Sequence, residues 1–233
     1  MRLFVLGPAG CGKSSFVKSF SSYLGEMGLE AKCVNLDPAT DPIFETDADI
    51  RKFVKTEEVM EGYNLGINGA LIKSVELGLK YVEELRVSSD YVLYDTPGQM
   101  ELFIYSPGGR RFVDMLSDKT TAGLFLMDSE LIRDAESFLS AIMQNVIVSL
   151  RLSIPTVTVL TKSDKVDVDV DKMSEQLSRK GGVLAELLEK SKYFIEYTTL
   201  PQRVIKISSI TGEGFHDLYS IINELFCACG DLS

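Results

Sequence analysis

The 233-residue chain has a single histidine, His216. A Ser-His-Asp or Cys-His catalytic group would have to use it, as would any site with two histidine ligands. It stands in GEGFHDLY, early in an expected C-terminal helix, where a surface or capping position is the plain reading. Cysteine is scarce and irregularly spaced, at Cys11, Cys33, Cys227 and Cys229. No secretory signal precedes them, so reduced thiols in a cytoplasmic protein are expected. The C-x-C pair near the end offers too few thiols for a structural zinc site within one chain. No run approaches ~18 apolar residues, which excludes a membrane-spanning helix. The apolar start MRLFVLG is too short for a signal peptide and leads into a glycine-rich turn, so it reads as a buried first strand. Basic residues are outnumbered, 24 Lys+Arg against 34 Asp+Glu, for a net charge of −10. Such a surface repels phosphate backbones and argues against broad nucleic-acid binding.

What is present is an ordinary globular composition, 45% hydrophobic and 25% charged, which excludes disorder and collagen-like repeats. Short runs that are apolar on both faces predict buried parallel strands. They are Leu3 to Leu6, Ala31 to Asn35, Tyr91 to Tyr94, Ala122 to Met127, Thr156 to Leu160 and Arg203 to Ile207. Amphipathic helices are predicted over Lys13 to Met27, Ala70 to Leu85 and Leu131 to Leu150. The alternation implies an α/β fold, a three-layer sandwich around a mostly or wholly parallel sheet. Two segments exceed a minimal crossover, about 38–85 and about 166–200, the second charged and helical around Asp171 to Lys190. Neither has linker composition, so the chain is expected to be one domain, 1–233, with two insertions.

Residues 7–14 read GPAGCGKS, matching G-x-x-x-x-G-K-[ST] between an apolar strand and an amphipathic helix. In that context Gly7, Pro8, Ala9, Gly10, Cys11, Gly12, Lys13, Ser14 and Ser15 form a phosphate-binding turn. Its N–H groups and the helix N-terminus favour anions. Lys13 would reach the β- and γ-phosphates and Ser14 would ligate Mg²⁺. A thiol beside a lysine at a helix N-terminus can acquire a lowered pKa. For Cys11 the simpler expectation is a small residue that fits.

A second motif, DTPGQME at 95–101, follows the strand Tyr91 to Tyr94. Asp95 sits where a Mg²⁺ partner belongs, holding the ion through water. Gly98 would offer its N–H to the γ-phosphate, and Gln99 and Glu101 are candidates to orient the attacking water. A third motif, TKSD at 161–164, also ends a strand. Guanine presents N1–H and N2–H₂ donors on one edge, and the Asp164 carboxylate can accept both. Thr161 and Lys162 complete the motif, the lysine stem covering the ring face. Adenine leaves that carboxylate unmatched. The last strand ends SSITGEG, where Ser208, Ser209 and Ile210 would meet the guanine O6.

Phosphate, metal and guanine motifs in this order describe a P-loop protein that binds GTP or GDP with Mg²⁺. Two other readings stand beside hydrolysis. A P-loop kinase needs an acceptor site and arginine-rich lids, yet 166–200 holds only Arg179. A binding module holding GTP or GDP without hydrolysis would not need Gln99 and Glu101. A related class of P-loop ATPases carries an early lysine in the phosphate turn, where this chain has Pro8 and Ala9.

The set GPAGCGKS, NLDPA, LGINGAL, DTPGQMELF, TKSD and SSITGEGF, with Lys13 and Asp95 82 residues apart, resembles the GPN-loop GTPases over essentially the whole chain. One departure is visible: the eponymous Gly-Pro-Asn is here Gly66-Ile67-Asn68. Isoleucine gives up the fixed φ of proline and keeps the polar tip. The resemblance implies a SIMIBI-class fold with an all-parallel core sheet and a homodimer or paralogue heterodimer. It implies that Asn68 acts in the partner's active site, while Asp37, Gln99 and Glu101 act in their own. Asp37 would also stand near the metal. The chain is similar to the short archaeal members. In eukaryotes the family is linked to RNA polymerase II assembly and import; for a short homodimeric form the client stays open, RNA polymerase or another assembling complex. A neutral amide supplies hydrogen bonds but no charge, so slow turnover is expected. A plain turn role for Asn68 stays open, since N-G is a common turn dipeptide. Arg110 and Arg111 are the obvious arginines near the metal motif, and a solvated surface role is expected of them.

Overall fold

The structure, a computed structural model, describes residues 1–179 and 204–227. Seven strands form one sheet, and every pairing is parallel. They are β1 (Arg2–Leu6), β2 (Ala31–Asn35), β3 (Ala48–Asp49), β4 (Tyr91–Asp95), β5 (Thr121–Asp128), β6 (Thr156–Thr161) and β7 (Ile205–Lys206), in spatial order β3-β2-β4-β1-β5-β6-β7. The helices are α1 (Lys13–Glu26), α2 (Thr56–Tyr63), α3 (Ile67–Gly78), α4 (Val82–Leu85), α5 (Met100–Tyr105), α6 (Pro107–Leu116), α7 (Ala135–Leu152), α8 (Val170–Arg179) and α9 (Phe215–Cys227).

The sheet is buried on both faces, and successive side chains of a strand enter different cores. Leu3 and Val5 pack with Phe16, Phe20 and Leu24 of α1 and Phe215, Leu218 and Ile222 of α9. Phe4 and Leu6 pack on the other side with Phe103, Phe112, Phe138 and Ile142 from α5, α6 and α7. At about 25 cal/mol per Å² of apolar area removed from water, these two cores supply the main stabilisation. The third layer also holds Ile50, Val75, Val82 and Leu85 from the 38–85 segment.

Five of the six predicted strands fall within one or two residues of the observed bounds, and the sixth is observed only as Ile205–Lys206, with Arg203 outside the described residues. The edge strand β3 is new; two residues carry no readable periodicity. The helix expected at Ala70 to Leu85 starts earlier, at Ile67, and is interrupted by a tight turn at Leu79–Tyr81 before α4. Gly78 is the last residue of α3, and a Cβ there would stand 3.0 Å from Ile50 Cδ1 and from the Phe112 ring. The helix expected from Leu131 begins at Ala135, since the Asp134 carboxylate caps it by accepting the Ser137 N–H at 2.8 Å. Of the helical stretch expected at Asp171 to Lys190, α8 covers the part up to Arg179, and the rest lies outside the described residues. His216 is exposed in the first turn of α9, as a surface position requires. Cys227 closes α9, and Cys229 lies outside the described residues. Among the described residues no helix is long and apolar enough to cross a membrane.

Candidate nucleotide site

The phosphate, metal and base motifs converge at the C-terminal ends of β1, β2, β4, β6 and β7, the edge where open parallel sheets bind ligands. The phosphate turn runs from β1 into α1. Gly7 adopts φ 149°, and a Cβ there would lie 2.3 Å from the Leu126 carbonyl oxygen, so only glycine lets the turn press against β5. Gly12 leads into α1 at φ 94° in the left-handed region. The buried Lys13 ammonium donates to the Gly7 and Pro8 carbonyls at 2.8 and 3.2 Å. Cys11 is buried, and desolvation pushes its thiol pKa up, so an activated thiol is not what this position holds.

Ser14 Oγ donates to Asp95 Oδ2 at 2.6 Å. Asp95 Oδ1 is buried with no hydrogen-bond partner among the described residues. Burial raises the Asp95 carboxyl to about 6, with Ser14 and Lys13 opposing the rise. A buried carboxylate oxygen without a partner, beside a serine hydroxyl, is a donor set that a divalent cation satisfies. Asp37, 8% exposed, stands at the same end. Its two oxygens accept the Gly98 N–H at 3.0 Å and the Ala39 N–H at 2.8 Å. The N–H expected to meet a γ-phosphate is therefore bonded to Asp37 here. Asn35 fixes Asp37 in turn: its Oδ1 accepts the Asp37 N–H at 3.0 Å, and its Nδ2 donates to Asp49 Oδ1 at 2.8 Å. Asn35 opens the NLDPA motif, and an Asx residue two before Asp37 is a recognisable turn signal.

Gln99 and Glu101 are exposed at the start of α5, close to Gly98 in the chain. Asn68 is the second residue of α3, exposed, and among the described residues makes no hydrogen bond to the phosphate turn. Arg110 donates to Ser153 Oγ at 2.9 Å and Arg111 is exposed, a surface setting for both.

The base end is a cavity of about 170 Å³ lined by Cys11, Gly12, Ser15, Thr161, Lys162, Asp164, Lys165, Ser209 and Ile210. Ser208 Oγ donates to Asp164 Oδ1 at 2.6 Å and accepts the N–H groups of Ile210 and Thr211 at 3.2 Å. The Thr161 hydroxyl donates to the Cys11 carbonyl at 2.8 Å, bracing the phosphate turn from inside. Ser19 Oγ reaches the Ser209 carbonyl at 2.7 Å, a strut between residues 190 apart that no local pattern announces. Ile210 is 82% exposed at the rim. The Lys162 ammonium donates to Asp128 Oδ2, and this bond holds its pKa above the ordinary lysine value. Asp128 belongs to no motif; its only signal is an acid at the end of a buried strand.

Fold and site define a P-loop nucleoside-triphosphate-binding protein. A sequence profile described as "Conserved hypothetical ATP binding protein" matches residues 5–228. A GPN-loop GTPase of Pyrococcus abyssi is 30% identical over all of both chains. A GPN-loop GTPase 3 of Danio rerio is 33% identical over 95% of this chain and 79% of that one. The crystal structure of a GTPase in apo form from Pyrococcus abyssi covers 98% of each chain at a TM-score of 0.83 and 28% identity. This chain belongs to the GPN-loop GTPase family, and GTP binding and hydrolysis come with that class.

Proposed function

We propose that the chain is one P-loop domain, with insertions at about 38–85 and about 166–200, that hydrolyses GTP with Mg²⁺ as a cytoplasmic homodimer. The observation that carries the guanine assignment is Asp164. One of its oxygens is held by Ser208 and the other has no hydrogen bond among the described residues, in a cavity that Lys162 also lines. Guanine N1–H and N2–H₂ donate to that carboxylate, and adenine cannot. This favours GTP over the ATP named in the profile description.

The triphosphate lies along the turn Gly7 to Ser15, with Lys13 exchanging its carbonyl partners for phosphate oxygens. Ser14, Asp95 and Asp37 would hold Mg²⁺, which supplies positive charge against the developing charge on the β- and γ-phosphates. The γ-phosphate competes with Asp37 for the Gly98 N–H, freeing a carboxylate beside the reacting group. Gln99 and Glu101 orient a water whose oxygen bonds the γ-phosphorus as the bond to the β–γ bridging oxygen breaks, giving GDP and phosphate. The Asn68 amide, exposed on α3, completes the site of a second copy. GTP and GDP states then differ at Asp37 and Gly98, which ties nucleotide state to shape and partner binding. A client protein is read by resemblance alone, RNA polymerase or another assembling complex.

Hydrolysis of GTP and ATP side by side, with Mg²⁺ and chelator, tests this reading, with oligomer mass measured for wild type and Asn68→Ala. GTP preference, loss on chelation and a dimer mass are expected. Equal rates with ATP would overturn the guanine assignment, and full activity as a monomer would overturn the dimer.

A further inference from the structure

Asp128 ends β5 and is 8% exposed. Its Oδ1 accepts the Glu130 N–H at 2.9 Å, which fixes the carboxylate plane. Its Oδ2 takes the Lys162 ammonium. The pairing is set by the sheet: in the parallel register Asp128 faces Thr161, so Lys162 is the next residue along. Lys162 itself sits at φ 60°, a left-handed conformation that a lysine does not choose unaided. Glu130 adds a second acid, 3.6 Å from Lys162 and 3.4 Å from Lys165. A long cation beside a triphosphate site would ordinarily swing toward phosphate. Here two acids hold its head, and the residue lines the base cavity with Asp164. With the charge compensated, the stem offers the ring an apolar surface.

We propose that Asp128 is a positioning residue for base recognition, clamping Lys162 so that its stem is a pre-ordered lid on the nucleobase. The inference rests on the reading of the Asp164 cavity as the guanine site. A clamped lysine has lost its rotamer freedom before the nucleotide arrives, so that loss does not weaken binding. Released, the same side chain must be ordered by each nucleotide that binds.

The test is calorimetric titration of the full chain, with Mg²⁺, against GDP, xanthosine diphosphate and inorganic tripolyphosphate. Asp128→Asn should raise the Kd for GDP roughly tenfold and leave tripolyphosphate within about twofold, because only the base contact changes. The KM for GTP should rise by the same factor while kcat holds. Asp128→Glu, which keeps a carboxylate, should return GDP to within about threefold of wild type. Lys162→Met and the double variant Asp128→Asn/Lys162→Met should bind GDP equally, since a clamp without its lysine has nothing to hold. Additive losses, or tripolyphosphate weakened alongside GDP, would overturn the proposal, the second placing Asp128 at the phosphate end. Asp164→Asn separates the underlying reading: it should exchange GDP for xanthosine diphosphate, whose O2 accepts where guanine donates. If no exchange occurs, the base-site reading and the proposal fall together. If exchange occurs while Asp128→Asn binds GDP like wild type, the proposal falls alone.

Discussion

The phosphate-and-metal end and the 66–68 turn are built in opposite ways. At the first, Lys13, Asp37 and Asp95 are buried, and each is tied to the chain's own backbone or side chains before any ligand arrives. At the second, Gly66, Ile67, Asn68 and Gly69 are all exposed. The first region is held by bonds within the chain, and a triphosphate has to exchange those of Lys13 and Gly98 for its own. The second is an ordinary helix start with a polar tip and nothing of its own to act on. In the proposed dimer, this exposed turn is the part that a second copy would use.

Asp95→Asn probes the buried end and carries the largest expected effect. Removing the charge should lower Mg²⁺-dependent GTP hydrolysis by roughly 10³-fold, the scale of lost metal-assisted charge stabilisation. The same change should stabilise the nucleotide-free, metal-free protein. Burial moves the Asp95 carboxyl from an ordinary 3.8 to about 6, so the folded state binds its proton more tightly than the unfolded state. Wild-type stability from this group therefore rises as pH falls from about 6 toward 3.8, and the cost of the buried charge is fully present above 6. That cost is about 2–3 kcal/mol, which asparagine removes. Thermal melts should show the variant ahead at about pH 8 and level with wild type near about pH 4. A variant less stable than wild type at about pH 8 would mean that the buried carboxylate is already compensated.

Asn68→Ala probes the exposed turn. If the amide acts on a partner's nucleotide, kcat should fall by roughly 10²-fold with GDP affinity and dimer mass unchanged. Mixing it with an inactive second-site variant sharpens the contrast. Asp95→Asn keeps an intact Asn68, and Asn68→Ala keeps an intact Asp95, so mixed dimers should recover part of the activity. No recovery would confine both residues to one chain's site.

The same contrast explains what the sequence could announce. The buried end is legible because its chemistry is carried by short local motifs at strand ends, and because strands buried on both faces are apolar without interruption. The supports of the site were not legible. Asp128 and Ser19 act on Lys162 and Ser209 through bonds that the sheet register and helix packing create. The close packing of Gly78, at the end of α3, against Ile50 and Phe112, far away in the chain, was equally hidden. At the turn, the tripeptide was visible as a departure from Gly-Pro-Asn, but its position as a helix start was hidden, because the apolar periodicity begins only at Ala70.

That position gives the smallest and most pointed prediction, Ile67→Pro. Ile67 is the first residue of α3, where a proline loses no helical hydrogen bond. The first such bond is donated by Ala70 to Gly66 at 2.9 Å. Gly66 stands at φ −69° and ψ 165°, the extended conformation that a residue before proline prefers. Proline should therefore fit, and by restricting the unfolded chain it should stabilise the protein by about 0.5 kcal/mol in denaturant titration. It should also raise kcat by about twofold if a stiffer turn presents Asn68 better. Ile67 is 49% exposed in one chain. If its side chain is instead part of the contact between copies, the variant will gain stability at low concentration and lose dimer mass. A loss of stability in dilute protein would break the comparison itself, because the turn would then depend on contacts within its own chain.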